Sequence, residues 1–221
     1  MRRPEPPADC GACPRLAGFR HDNRARHPAF FNAPVPSFGQ ADARLLIVGL
    51  APGLKGANQT GRPFTGDYAG DLLYATLERF ALSEGRYAGR ADDGLALRDC
   101  RITNAVRCVP PQNKPVGAEV RTCRAFLLPE LTQAPAPRAV LALGKVAHDS
   151  VLAALGHRLA AYPFRHGARH RLPGGPGHSG LDFFDSYHCS RYNTNTGRLT
   201  EAMFHAVFAD IVAALDEAAR G

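Results

Sequence analysis

Hydrophobic positions along the chain follow two alternating rhythms. Four short runs are largely continuous in apolar residues: Arg44-Leu-Leu-Ile-Val-Gly-Leu50, Arg101-Ile-Thr-Asn-Ala-Val106, Ala139-Val-Leu-Ala-Leu-Gly144 and the stretch 183–187. Runs of this length that stop at glycine or a polar residue predict strands buried on both faces. Between them the apolar spacing is helical, with Leu72, Leu73, Leu77 and Phe80 in 71–82, and further helices predicted over 119–131, 146–155 and 202–219. Strand and helix in alternation predict a three-layer α/β fold around a mostly parallel sheet. Seven prolines between Pro4 and Pro36 predict an irregular arm over residues 1–43, and a Gly/Pro/His loop is expected over 162–180. In such sheets ligands bind at the carboxyl ends of strands. That edge would gather the glycine-rich loop after residue 49, the Pro110-Pro111 loop and the segment around His188.

At 221 residues the chain is expected to form one domain, 1–221, with the arm appended. No apolar run reaches the ~18 residues of a membrane span, and Met1-Arg-Arg-Pro leads into polar sequence, so membrane and secreted classes are not expected. The net charge is +7, carried by 24 arginines against three lysines, Lys55, Lys114 and Lys145. Arginine forks onto phosphate oxygens and stacks on bases, which makes a polyanion partner one reading. A GC-rich genome explains the same bias, and composition does not separate the two.

Six cysteines occur, at positions 10, 13, 100, 108, 123 and 189. Cys10-Gly-Ala-Cys13 lies in the irregular arm, not at the start of a helix after a strand, which argues against a thioredoxin-like redox pair. Metal binding is then the next reading, and four thiolates suit either zinc or a [4Fe–4S] cluster. Cys108 and Cys123 flank the Pro-Pro loop and are the best completing pair. Spacing alone leaves zinc and iron–sulfur open.

Three segments carry candidate chemistry. The glycines of the loop from Gly49 to Asp67 let backbone amides approach a ligand closely, yet the loop matches neither the P-loop nor the dinucleotide fingerprint. Phe64, among polar and glycine neighbours, suits a stacking platform for a planar ligand or an anchor to the core. Asp67, just before a helix, is either an N-cap or a carboxylate that orients water. Around His188, the residues Ser190, Arg191, Thr194 and Arg198 suit phosphate oxygens. Asn104 and Asn113 offer amides able to read base edges.

Together these segments resemble the uracil-DNA glycosylase superfamily, most closely its family-5 enzymes and more distantly family 4. The resemblance rests on Gly49-Leu-Ala-Pro-Gly53, Thr60-Gly-Arg-Pro-Phe-Thr-Gly-Asp67, Val106-Arg-Cys-Val-Pro-Pro-Gln-Asn-Lys-Pro115 and Asn193-Thr-Asn-Thr-Gly-Arg-Leu-Thr200, with Pro163-Phe-Arg-His-Gly167 and Leu172-Pro-Gly-Gly175 in support. It implies an α/β/α sandwich with a central four-stranded mostly parallel sheet, and a [4Fe–4S] cluster on Cys10, Cys13, Cys108 and Cys123. It implies that Phe64 stacks on an extruded uracil, that backbone amides of Gly49, Leu50 and Ala51 contact the base, and that His188 hydrogen-bonds its O2. Asp67 would position or activate the water and Asn113 would help shape the pocket. The partner implied is uracil-containing DNA, single- or double-stranded, acted on by a monomer in the bacterial cytoplasm or nucleoid. Segment 165–180 and the residues from Ser190 and Arg191 to Arg198 are the expected DNA contacts.

Two positions depart from the family pattern. Leu50 stands where family 4 has a catalytic Glu, which moves attention to Asp67. Asn104 stands where family 5 commonly has a small residue; an amide there can donate to O4 and accept from N3–H, so it is expected to narrow the substrate range towards uracil. The rival readings are a cluster-containing DNA-binding or redox protein without glycosylase activity, and a zinc-stabilised nucleotide-binding module.

Overall fold

A computed structural model describes residues 3–175 and 180–220. Six strands form the main sheet: β1 (Phe38–Gly39), β2 (Leu45–Gly49), β3 (Cys100–Asn104), β4 (Ala139–Leu143), β5 (Arg169–Leu172) and β6 (Leu181–Ser186). Their order is β1-β3-β2-β4-β6-β5. The central four, β3, β2, β4 and β6, are parallel, and these are the four strands the hydrophobic runs predicted. β1 and β5 add one antiparallel strand at each edge, so the expected four-stranded sheet is the centre of a six-stranded one. β5 falls inside the expected 162–180 loop. Its charged Arg169 and Arg171, paired to Asp182 at 3.2 and 3.0 Å, lack the apolar run that would have marked it.

The strands are hydrophobic on both sides because both faces are covered. Leu45 and Ile47 of β2 point to one face, where α2 (Tyr68–Arg79) supplies Leu73 and Leu77 and α6 (Glu201–Arg220) supplies Phe204, Phe208 and Ile211. Leu46 and Val48 point to the other, against Leu127 and Leu131 of α3 (Gly117–Thr132) and Val151 and Leu152 of α4 (Lys145–Ala154). Full burial of such side chains contributes about 1.5–3 kcal/mol each, which fixes the register of a strand whose every slip would misplace both faces. Among the described residues no helix is long and apolar enough to cross a membrane.

The arm is not irregular throughout. α1 (Pro14–Arg26) is a 13-residue helix, with proline in its first turn where the missing N–H costs nothing. Its buried residues are Leu16, Arg20 and Asn23, so there is no apolar stripe to announce it. The arm is held to the body by charge. Arg3, Arg101 and Arg107 converge on Glu130, which is buried in α3.

Candidate active site

The loop after β2 turns back across the carboxyl edge of the sheet and ends in a strained platform. Phe64 has φ +52°, a left-handed conformation that costs a bulky residue energy and persists only where its surroundings impose it. Here they do. Tyr74 donates to the Pro63 carbonyl at 2.7 Å and Tyr87 to the Phe64 carbonyl at 3.3 Å. Arg62, buried between the rings of Phe38, Tyr74 and Tyr87, makes a bidentate pair with Asp93 at 2.7 and 2.8 Å. That hydrogen-bonded pair holds the Asp93 carboxyl far below the usual carboxylate range. Gly70 completes the fit, since a Cβ there would strike the Phe64 carbonyl oxygen. Arg62 lies inside a motif the sequence displays, but Asp93, Tyr74 and Tyr87 carry no local pattern. Only folding brings them to the loop.

Asp67 takes the first of the roles offered for it and leaves one oxygen turned to the glycine loop. As N-cap of α2 its Oδ1 accepts from the amides of Ala69 at 3.2 Å and Gly70 at 3.3 Å. Its Oδ2 faces the Gly53–Gly56 turn, where a Cβ on Gly53 would lie 3.2 Å from it and one on Gly56 would overlap it. Burial raises the carboxyl above its ordinary pKa, partly offset by the two amide hydrogen bonds.

His188 follows β6 on the opposite side of this edge. Its ring lies 27° from parallel to Phe64, centroids 5.8 Å apart. Asn193 anchors it by donating to its carbonyl at 2.8 Å, and Ser190 caps the short helix Arg191–Asn195, labelled α5. Burial pushes the imidazole pKa down to about 4, so the ring is neutral at physiological pH. Among the described residues its ring nitrogens have no hydrogen-bond partner, which leaves them for a ligand.

Phe64, Asp67, Asn104 and His188 line one chamber of about 30 Å³ together with Ala51, Pro52 and Gly53. Beside it, sharing Ala51, Gly53, Asp67 and His188, lies a cleft of about 520 Å³ bordered also by Leu50, Tyr68, Asn113, Ser190 and Arg191. Asn104 is the last residue of β3 and only 4% exposed. Gly49 is its partner in the β2–β3 register.

The remaining expected residues divide. Leu50, Asn113, Ser190 and Arg191 stand on the cleft but not in the chamber. Asn113 is exposed, in a left-handed conformation at φ +56° that asparagine tolerates well. Arg191 lies over the Tyr68 ring at 5.2 Å, a contact the sequence did not suggest. Arg198 borders neither cavity and instead covers Tyr187 at 4.5 Å. Of segment 165–180, residues 176–179 lie outside those described.

The four expected cysteine ligands meet. Cys10, Cys13, Cys108 and Cys123, from the arm, the start of α1, the Pro-Pro loop and α3, line one cavity of about 20 Å³. None forms a disulfide. Burial pushes the thiols of Cys13 and Cys108 up and that of Cys123 to about 11. Donors nonetheless address the sulfurs: Arg20 Nη1 reaches Cys108 Sγ at 3.4 Å, and the Arg107 amide donates to Cys123 Sγ at 3.3 Å. Four cysteines lining one cavity are chemically suited to a thiolate-ligated metal group. Cys100 and Cys189 are buried elsewhere.

A parallel-centred α/β/α sheet whose carboxyl edge holds an aromatic platform, a buried carboxylate and a neutral imidazole is the architecture of a base-extruding glycosylase. Residues 36–212 match the uracil DNA glycosylase superfamily, and the chain belongs to it. Within the superfamily it belongs with the type-5 enzymes. It is 46% identical over 200 residues to the type-5 uracil-DNA glycosylase of Thermus thermophilus, covering 88% of this chain and 89% of that protein. It is 41% identical over 196 residues to that of Pyrobaculum aerophilum, covering 87% and 83%. The type-4 uracil-DNA glycosylase of the same archaeon is 34% identical over a shorter match, 56% of each chain.

Proposed function

We propose that this protein is a base-excision repair enzyme that flips uracil out of DNA and hydrolyses its N-glycosidic bond, leaving an abasic site. The observation that carries the proposal is the convergence of Phe64, Asp67, Asn104 and His188 on one chamber that shares its lining with an adjoining cleft. A base in a duplex cannot be reached, so extrusion must be offset by stacking and hydrogen bonds in the pocket. The base would occupy the chamber together with the adjoining cleft, whose linings share Ala51, Gly53, Asp67 and His188.

The ring geometry constrains how the base sits. Two rings 5.8 Å apart cannot hold a third between them, which needs about 7 Å. A base stacked on Phe64 therefore presents an edge to His188, as a hydrogen bond from the imidazole requires. Cleavage leaves negative charge on uracil and positive charge on the sugar. A neutral N–H donor aimed at O2 stabilises the developing anion without a reorganisation cost. Asp67 Oδ2 then holds the water, or stabilises the cationic sugar, from the other side of the chamber. Asn104, at the buried end of β3, reads the O4 and N3–H edge. The motifs bring no lysine to the chamber for a Schiff base, so the reaction is monofunctional.

Ser190 and the Tyr68-stacked Arg191 would grip phosphates along the cleft. Tyr192, 72% exposed beside them, is offered to the duplex as a wedge. Arg198, off the cleft, would act by steadying the Tyr187–His188 turn. Cys10, Cys13, Cys108 and Cys123 would hold the [4Fe–4S] cluster, which when bound cross-links the arm to the Pro-Pro loop. The test is single-turnover cleavage of a uracil oligonucleotide, with the strand breaking only after alkali. Intact uracil after long incubation with iron-replete protein would overturn the proposal.

A further inference from the structure

On the face of the sheet opposite Phe64, a second constellation of metal-ligand type is buried where the glycosylase chemistry does not reach. His148 of α4, His170 of β5 and Asp185 of β6 place one donor atom each within 4.8 Å of one another. His148 Nδ1 lies 2.7 Å from Asp185 Oδ1, and His170 Nε2 lies 3.4 Å from Asp185 Oδ2. From these contacts we infer that His148, His170 and Asp185 form a binding site for a divalent transition cation of the zinc class, with an exchangeable water as fourth ligand.

Three observations carry this. Asp185 is 0% exposed, and its Oδ2 and the facing His170 Nε2, 3.4 Å away, are both buried without a hydrogen-bond partner among the described residues. A buried carboxylate oxygen left unpaired costs roughly 1–3 kcal/mol or more, and a cation removes that cost. Second, His148 Nε2 lies 2.8 Å from the Tyr162 carbonyl, which can only accept, so Nε2 carries a hydrogen, and the proton shared between Nδ1 and Asp185 Oδ1 at 2.7 Å is the one a bound ion would displace. A ring N–H fixed on a backbone carbonyl is how metal-ligating histidines are commonly oriented.

Third, the spacing is close to what the ion needs. Two tetrahedral ligands at ordinary Zn–N and Zn–O distances lie about 3.3 Å apart, against the observed 3.4 and 2.7 Å. The two contacts bracket that spacing, His148 through Asp185 Oδ1 and His170 through Asp185 Oδ2, and all three donors lie within 4.8 Å of one another. The surroundings suit a tight site, with Phe183 stacked on His148 at 5.1 Å and Phe164 at 5.5 Å edge-on. The ion would join α4 to the β5–β6 hairpin just below the turn that carries His188. Its role is therefore to stiffen that turn, away from the reacting atoms.

The experiment uses iron-replete protein, so that the cysteines are already occupied. Equilibrium dialysis against zinc chloride should give saturable uptake of about one zinc per chain and a raised melting temperature. Asp185→Asn and His170→Gln should each weaken uptake at least roughly tenfold while iron content is unchanged. The X-ray absorption edge of the bound zinc should show nitrogen, oxygen and imidazole scattering. That spectrum decides the matter even if a variant fails to fold. No saturable uptake by the wild type, uptake unchanged in both variants, or a sulfur shell around the zinc would each overturn the inference.

Discussion

Gly49 and Asn104 face each other as the last pair in the β2–β3 register, and the space a side chain would occupy on Gly49 is filled by Asn104 Oδ1 and the Phe64 ring. A Cβ on Gly49 would overlap the amide oxygen and come 2.6 Å from Phe64 Cζ. The glycine is thus what lets the Asn104 amide and the Phe64 ring approach in one chamber.

Replacing Gly49 by alanine should push both groups outward. A misplacement of about 1 Å at a reacting centre costs on the order of 10²-fold in rate. Single-turnover uracil excision by Gly49→Ala should fall by about that factor, with the melting temperature nearly unchanged. A rate within twofold of wild type would show that Phe64 and Asn104 need not be so close.

Asp67→Asn should separate the carboxylate from the cap, because asparagine caps helices as well as aspartate does. Stability should hold, while the rate falls by about 10²–10⁴ if the carboxylate acts on water as a general base. Asp67→Ala should lose about 1 kcal/mol in addition.

The raised pKa of Asp67 gives opposite signs to activity and stability. Because burial lifts the folded value above the ordinary 3.8, the acid limb of the rate should lie above pH 3.8 and be absent from Asp67→Asn. The folded state holds that proton more tightly than the unfolded chain, so this group's contribution to stability grows as pH falls through the same limb. Parallel pH profiles of rate and denaturant midpoint check the pair. His188, pushed to about 4, should titrate well below pH 6 by NMR.

Asn104→Ala should lower uracil excision and narrow the gap to hypoxanthine, since an amide that matches O4 and N3–H is lost and space is gained. Wild-type protein should cleave uracil far faster than hypoxanthine. Equal rates on the two bases would remove Asn104 as a determinant of specificity.

Asp93→Ala should leave the Arg62 guanidinium buried without its bidentate partner, although it is remote in sequence from every chamber residue. Breaking such a pair costs about 3–5 kcal/mol. Denaturant unfolding should show that loss, and the excision rate should drop as the Phe64 platform loosens.

Much of this was legible in the chain because it is local. A run such as Leu45–Gly49 can only be buried on two sides, so four strands and the helices between them could be placed from period alone. The edge strands escaped because pairing, not hydrophobicity, makes them. Arg169–Leu172 is a strand only because β6 offers it a partner. The helix of the arm escaped because its buried positions include Arg20 and Asn23, which acquire their places from the cysteine cavity and the Asn32 loop.

The sequence by itself determined the layered fold, the family, and which residues could stack, donate and ligate, since motif spacing and apolar period survive without contacts. The tertiary structure decided which of them share a chamber. It put Phe64, Asp67, Asn104 and His188 together, left Asn113 at the rim and set Arg198 aside. It also recruited Asp93, Tyr74 and Tyr87 to hold a strained loop. Those choices depend on distances between segments tens of residues apart, fixed by sheet register and helix packing, and no local pattern encodes them.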